Sequence, residues 1–245
     1  MQPPASGPHA AAVPAEPEAP APHPVSVAQM QQIDATVIET FGIPRVLLMD
    51  HAGLALARSV RALVTRAPKR SIVICCGTGF NGGDGLSAAR HLHEWGYPLR
   101  VSVIGRLDQL RAEPATYATM LRRLGLPIVE GERVDALTQI EGWLAGCSLI
   151  VDALLGIGVR GAVREPFKQL IARMNRSGKP IVAADIPSGL DGDTGLPQGI
   201  AVKATRTVTF GAPKRGCLVG QGPAHTGELV VESITIPRRV LERCA

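Results

Sequence analysis

Beginning at Val25, apolar residues recur on a helical period through "VAQMQQIDATVIETFG", and Gly42 followed by Pro44 supplies a stop signal. "RVLLMDHAGLALARSVRALV" keeps the same period and predicts a second helix. Beyond it the pattern shortens. "SIVICC", "LRVSVIG", "PIVEG", "SLIVDALLG" and "PIVAADIPSG" are brief apolar runs rich in Val and Ile, most of them separated by amphipathic or Ala/Leu-rich stretches. Strands alternating with helices of this length imply right-handed crossovers and a mainly parallel sheet covered on both faces, an α/β fold. After Gly195 the spacing tightens, and "AVKATRTVTFG" and "GELVVESITIP" predict further strands that extend one edge.

In a doubly wound sheet the chain reverses direction after its third strand, setting the first and fourth strands side by side. Ligands bind at that crevice, outside the carboxyl ends of the strands. Here the first strand runs into "GTGFNGGDG", the fourth into "VDALLGIGVRG" and the fifth into "ADIPSGLDGDTG", so three polar, glycine-rich loops are expected to converge on one site. Residues 1–24, almost entirely Pro, Ala and a few polar residues, predict a disordered tail; 25–240 make the folded domain and 241–245 a short C-terminal tail.

Composition narrows the function. At 245 residues with 45% hydrophobic content the chain can bury a core of its own. The net charge of +5 is scattered and aromatics are only 3%, which fits a mild affinity for phosphate-bearing ligands and argues against a nucleic-acid reader. Cys75, Cys76, Cys147, Cys217 and Cys244 have neither C-x-x-C spacing nor nearby His partners, so reduced thiols in a cytoplasmic protein are expected. No apolar stretch approaches the roughly 20 residues of a membrane-spanning helix, and no secretory signal pattern opens the chain.

Gly77-x-Gly79-x-x-Gly82 has the dinucleotide-binding spacing, but the second strand ends in Gly105 and Arg106 without the usual ribose-binding acid, and Arg106 reads as a solvated loop charge. That weakens a dehydrogenase reading. Asp84, in the expected first helical turn, would cap backbone amides or repel a bound phosphate. Asn81 suits either a left-handed turn or a hard cation. Asp152 closes a strand that should be central, where an unpaired charge is costly, so ligand or cation contact is favoured over capping. Asp185 follows "PIVAA", whose apolar surroundings are expected to raise its pKa and suit it to proton transfer near neutrality. Ser188 can cap or ligate, while Asp191 and Asp193 in "GLDGDTG" read as turn formers.

Taken together, "GTGFNGGDGLSAARHL", "VDALLGIGVRGAVREPF", "ADIPSGLDGDTG" and "TVTFGAPKRG", preceded by "GIPRVLLMDHAG", resemble in order the motifs of the NAD(P)H-hydrate epimerase family, the YjeF N-terminal domain. The resemblance runs from about Val25 to Pro237. It implies a Rossmann-like three-layer α/β/α sandwich. The implied substrate is NADH or NADPH hydroxylated at C6 of the nicotinamide-derived ring, whose R and S forms are interconverted so that a separate ADP/ATP-dependent dehydratase can restore the cofactor. By the same resemblance Asn81, Asp152 and Ser188 correspond to a K+ site. Phe80, Asn81, Gly82, Gly83, Asp84, Gly156, Ile157, Gly158, Val159, Arg160, Gly161, Ala162 and Asp185 correspond to substrate-binding positions. Asp185 is the expected general acid/base, backbone amides of residues 156–162 with Arg160 are expected to hold phosphate, and a homodimer is implied.

Three departures stand out. Phe80 takes the place of a second Asn common in the family, "LMDHAG" stands for the usual "LMENAG", and "KATRTVTF" lacks the acid of "ADLTVTF". Phe80 is expected to alter substrate contact or to stack on a ring. The rival reading is a catalytically weak nucleotide-binding scaffold on the same fold. Retention of Asn81, Asp152, Asp185 and Ser188 argues against it, because a scaffold has no need of that polar set.

Overall fold

The computed structural model describes residues 22–64, 70–131 and 135–244. Most of the expected N-terminal tail, residues 1–21, lies outside them. The fold opens with α1 (Val27–Ala35), started by a capping box in which Ser26 Oγ accepts from Gln29 N–H and the Gln29 side chain accepts from Ser26 N–H. A wider π-type turn carries the helix on over Thr36–Thr40, and Gly42 at φ +66° ends it. Then come α2 (Arg45–Val64), β1 (Ile72–Cys76), α3 (Phe80–Glu94), β2 (Leu99–Val103), α4 (Ala112–Arg123) and β3 (Ile128–Glu130). The second half adds α5 (Ala136–Gly146), β4 (Leu149–Ala153), α6 (Phe167–Arg176), β5 (Ile181–Ala184), β6 (Arg206–Phe210), α7 (Gly222–Thr226), β7 (Glu228–Glu232) and α8 (Arg238–Cys244). That last helix spans position 240, and Val240 is buried.

The sheet has seven strands in the order β3-β2-β1-β4-β5-β6-β7, and every pairing is parallel. Alternation along each strand feeds two cores. Ile72, Ile74 and Cys76 of β1, with Leu149 and Val151 of β4, pack under α1, α2, α3 and α4, whereas Val73, Cys75 and Ile150 pack under α5 and α6. This is the expected three-layer α/β/α arrangement, with the central strands β1, β4 and β5 buried on both faces as all-parallel sheets require. β1 and β4 are neighbours, with Cys76 level with Ala153, and the chain leaves them toward opposite edges. Their carboxyl ends therefore form the crevice where the crossovers part.

Cys75, Cys76, Cys147 and Cys217 are buried free thiols. Among the described residues no helix is long and apolar enough to cross a membrane.

Candidate active site

A cavity of about 720 Å³ opens at the carboxyl ends of β1, β4, β5 and β6 and is walled by α1 and the start of α2. The glycines of the first loop serve close packing before they serve any ligand. A Cβ on Gly77 would stand 2.0 Å from the Leu154 carbonyl oxygen, and one on Gly82 would stand 1.9 Å from that of Gly77. Only glycine permits this fold of the turn onto β4 and onto itself. α3 starts earlier than the sequence suggests, with Gly79 as its N-cap, so Asp84 falls in the second turn rather than the first. It caps nothing. Its carboxyl reaches the cavity, where burial and the nearby Asp185 and Asp34 charges push its pKa well up.

Of the residues assigned to substrate, Phe80, Asn81, Asp84, Gly156, Ile157, Gly158, Val159 and Asp185 line the cavity. Gly82 and Gly83 are buried within α3, and Arg160, Gly161 and Ala162 are exposed outside the cavity lining. Asp152 and Ser188 are wholly buried behind it. The Ser188 hydroxyl donates to Asp152 Oδ1 at 2.6 Å, and Ser188 N–H donates to Oδ2 at 2.8 Å. Burial lifts Asp152 to about 6 even so, because these bonds recover only part of the lost hydration. Asn81 sits beside Gly156 with both amide atoms buried and unpaired. A buried amide with no partner is an unmet demand for a ligand.

Asp185 does not have the apolar surroundings expected of it. The fold brings Lys214, from the loop after β6, into an ion pair with its Oδ1, which also accepts from Phe210 N–H at 3.2 Å and Thr209 Oγ1 at 3.4 Å. Lys214 is only 1% exposed, and its ammonium also donates to the Phe210 carbonyl at 2.9 Å. The facing carboxylate offsets part of the cost of burying the Lys214 side chain. Asp185 itself has φ +67°, a left-handed conformation costly for a non-glycine residue, which turns the chain sharply out of β5 at the cavity floor.

Sequence reasoning passed over Lys214, although it lies in the quoted "TFGAPKRG", and passed over Asp34 altogether. Asp34 lines the cavity from α1, and burial together with the Asp185 charge raises it to about 6 against the opposing pull of Lys214 and Arg45. Its signal was a lone acid between the buried Ile33 and Val37. α1 is fixed over the cavity by the pairing of Val25 with Lys214: Val25 N–H donates to the Pro213 carbonyl and Arg215 N–H to that of Val25, each at 2.9 Å. Asp191 is the turn former expected, accepting from the amides of Asp193 and Thr194. Asp193 instead accepts from Val27 N–H at 2.8 Å, satisfying a first-turn amide of α1 that has no partner within the helix. Arg106 pairs with its neighbour Asp108 on the surface, as a solvated loop charge would.

The family model for YjeF-related protein N-termini matches residues 46–216. A bifunctional NAD(P)H-hydrate repair enzyme of Pyrobaculum aerophilum is 44% identical over 199 residues, covering 81% of this chain and 39% of its own length. The NAD(P)H-hydrate epimerase of Rhodopirellula baltica is 34% identical over 90% of this chain and 87% of its own. That of Limosilactobacillus fermentum is 35% identical over 84% and 94%. The chain thus spans about two fifths of the bifunctional relative and most of the epimerases. Among solved structures, yeast ynu0 superposes with a TM-score of 0.78 over 91% of this chain and 93% of its own at 24% identity, which bears on the fold alone.

Proposed function

The chain belongs to the family of YjeF-related protein N-termini, and from that premise we propose that it is an NAD(P)H-hydrate epimerase interconverting the R and S forms of C6-hydroxylated NADH or NADPH. The observation that carries this reading is the cavity floor, where the Asp185–Lys214 pair meets Asp84 and Asp34. Such a floor can move protons and can face a developing positive charge.

Carbon 6 of the substrate bears both a hydroxyl and the ring nitrogen. A carboxylic acid protonates the hydroxyl, the C6–O bond breaks with its electron pair leaving on water, and the nitrogen lone pair forms a C6=N bond. Water then adds to either face and gives up a proton to a carboxylate, so protons balance and nothing is oxidised or reduced. Asp185 is the general acid/base in this scheme, with Lys214 holding its orientation. Asp34, whose carboxyl still carries a proton up to about pH 6, is a second proton carrier. The Asp185 carboxylate, and Asp34 once it has given up its proton, would favour the cationic C6=N state over the neutral ground state.

K+ fits the donor set of Asn81, Asp152 and Ser188, since the orphaned Asn81 amide supplies an oxygen and the other two supply a carboxylate and a hydroxyl. When bound it would tie the first, fourth and fifth loops together. Thermal denaturation in KCl against choline chloride at equal ionic strength checks this: Tm rises with K+ for wild type and not for Asn81→Leu. Further parts of the proposal are a cytoplasmic location, supported by the free thiols, and a homodimer, supported by Val46 and Leu47 exposed on α2, Met120 on α4 and Leu124 just after it. A separate ADP- or ATP-dependent dehydratase would complete the repair.

The test is to incubate a purified epimer of the hydrate with protein and follow the other by chiral chromatography. Asp185→Asn is expected to lose about 10²- to 10⁴-fold in rate. A variant as fast as wild type removes Asp185 from the chemistry, and a wild type no faster than buffer leaves the scaffold reading.

A further inference from the structure

Phe80 has no polar atom to offer a substrate, yet two arginines from separate elements rest on its ring. Cζ of Arg45, the first residue of α2, lies 4.4 Å from the ring centroid, and Cζ of Arg111, just before α4, lies 4.8 Å from it. All three residues line the cavity. Two guanidiniums gathered on one ring repel each other, and cation–π contacts at a partly exposed site return little against that repulsion. Their compensation is thin. Glu113 stands 3.8 Å from Arg45 Nε, and among the described residues no carboxylate lies within ion-pair distance of Arg111. Around the Asp185–Lys214 pair the lining is instead rich in carboxyls, from Asp34 and Asp84, and Glu39 lines the cavity as well. The cavity is therefore polarised, basic at the Phe80 rim and acidic at the floor.

A ligand matching that polarity carries its anionic groups at one end and a neutral or cation-forming ring at the other. Resting on the epimerase reading, we propose that Arg45 and Arg111, held by the Phe80 ring, form a phosphate-binding subsite for the dinucleotide. An anion between them removes their repulsion, and guanidinium forks match phosphate oxygens in pairs. Phe80 is then a positioning residue. It stacks on cations of the protein rather than on the substrate. The phosphate bound is either the diphosphate bridge, common to both hydrates, or the 2′-phosphate found only in the NADPH form.

The experiment pairs calorimetric titration with ADP and 2′,5′-ADP with epimerisation kinetics on both hydrates. Arg111→Ala, at an exposed position, is expected to weaken nucleotide binding and raise KM by roughly tenfold to a hundredfold, with a much smaller change in kcat. A KM rise for both hydrates assigns the diphosphate, and a rise for the NADPH form alone assigns the 2′-phosphate. Phe80→Leu, which keeps apolar bulk but loses the ring face, is expected to reproduce part of the loss, and Phe80→Trp to recover it. Unchanged binding and KM in Arg111→Ala overturn the subsite, and a Phe80→Leu protein like wild type overturns the positioning role. Calorimetry needs no turnover, so a protein that binds ADP through Arg111 but epimerises nothing keeps the subsite and rejects the reaction.

Discussion

Asp34 and Asp185 share one cavity floor, but their surroundings differ: Asp185 is locked into an ion pair with Lys214, while burial keeps Asp34 protonated up to about pH 6. If Asp34 delivers a proton, kcat/KM carries a limb that falls as pH rises through about 6, and Asp34→Asn removes that limb while lowering the plateau. A pH–rate profile of the two proteins checks this, and an unchanged limb in the variant assigns it elsewhere. Neither Asp34 nor Lys214 was legible as a site residue in the sequence. Each is an ordinary charged residue locally, and it takes long-range contacts such as the pairing of Val25 with the Lys214 loop to bring α1 over the end of β5. Asp185 was legible by its place after an apolar strand, but its partner was not, because an ion pair between distant segments leaves no periodic trace.

At the scale of elements, the hydrophobic pattern carried most of the information. The strand runs became β1 to β7, and the second helical run became α2 over Arg45–Val64 with its buried face at Leu48, Ala52, Leu56 and Val60. Burial on one or both faces writes a period that sequence can show. Helix starts were less visible: α3 opens at Phe80, displacing Asp84 by a turn, because the glycine that caps it offers no side chain to mark the spot. α1 is the element most open to perturbation, since it is held by the Ser26 capping box, the Asp193 contact and the Val25 pairing. Ser26→Ala and Asp193→Ala are each expected to cost about 0.5–2 kcal/mol of stability in denaturant titration. Both should also slow epimerisation by loosening Asp34. Loss of stability with undiminished rate would show that α1 only packs.

For the molecule as a whole, the carboxyls at the site work against stability at neutral pH. Asp34 has a folded pKa of about 6 against an ordinary value of 3.8, so the native state holds the extra proton between these limits. Its contribution therefore falls as pH rises from about 4 to 6 and stays unfavourable above, by an amount on the order of 3 kcal/mol before relaxation. Asp34→Asn should accordingly unfold at higher denaturant than wild type at pH 7 but not at pH 4, the mark of a group retained for function at the expense of the fold. Equal midpoint shifts at both pH values would contradict that linkage. The central claim is the reaction itself. Approach to equilibrium from pure R hydrate and from pure S hydrate, followed by chiral chromatography with and without the protein, measures it directly. Acceleration from both sides to one common R:S ratio, lost in Asp185→Asn, is the result predicted; a rate from either side equal to that in buffer alone would contradict it.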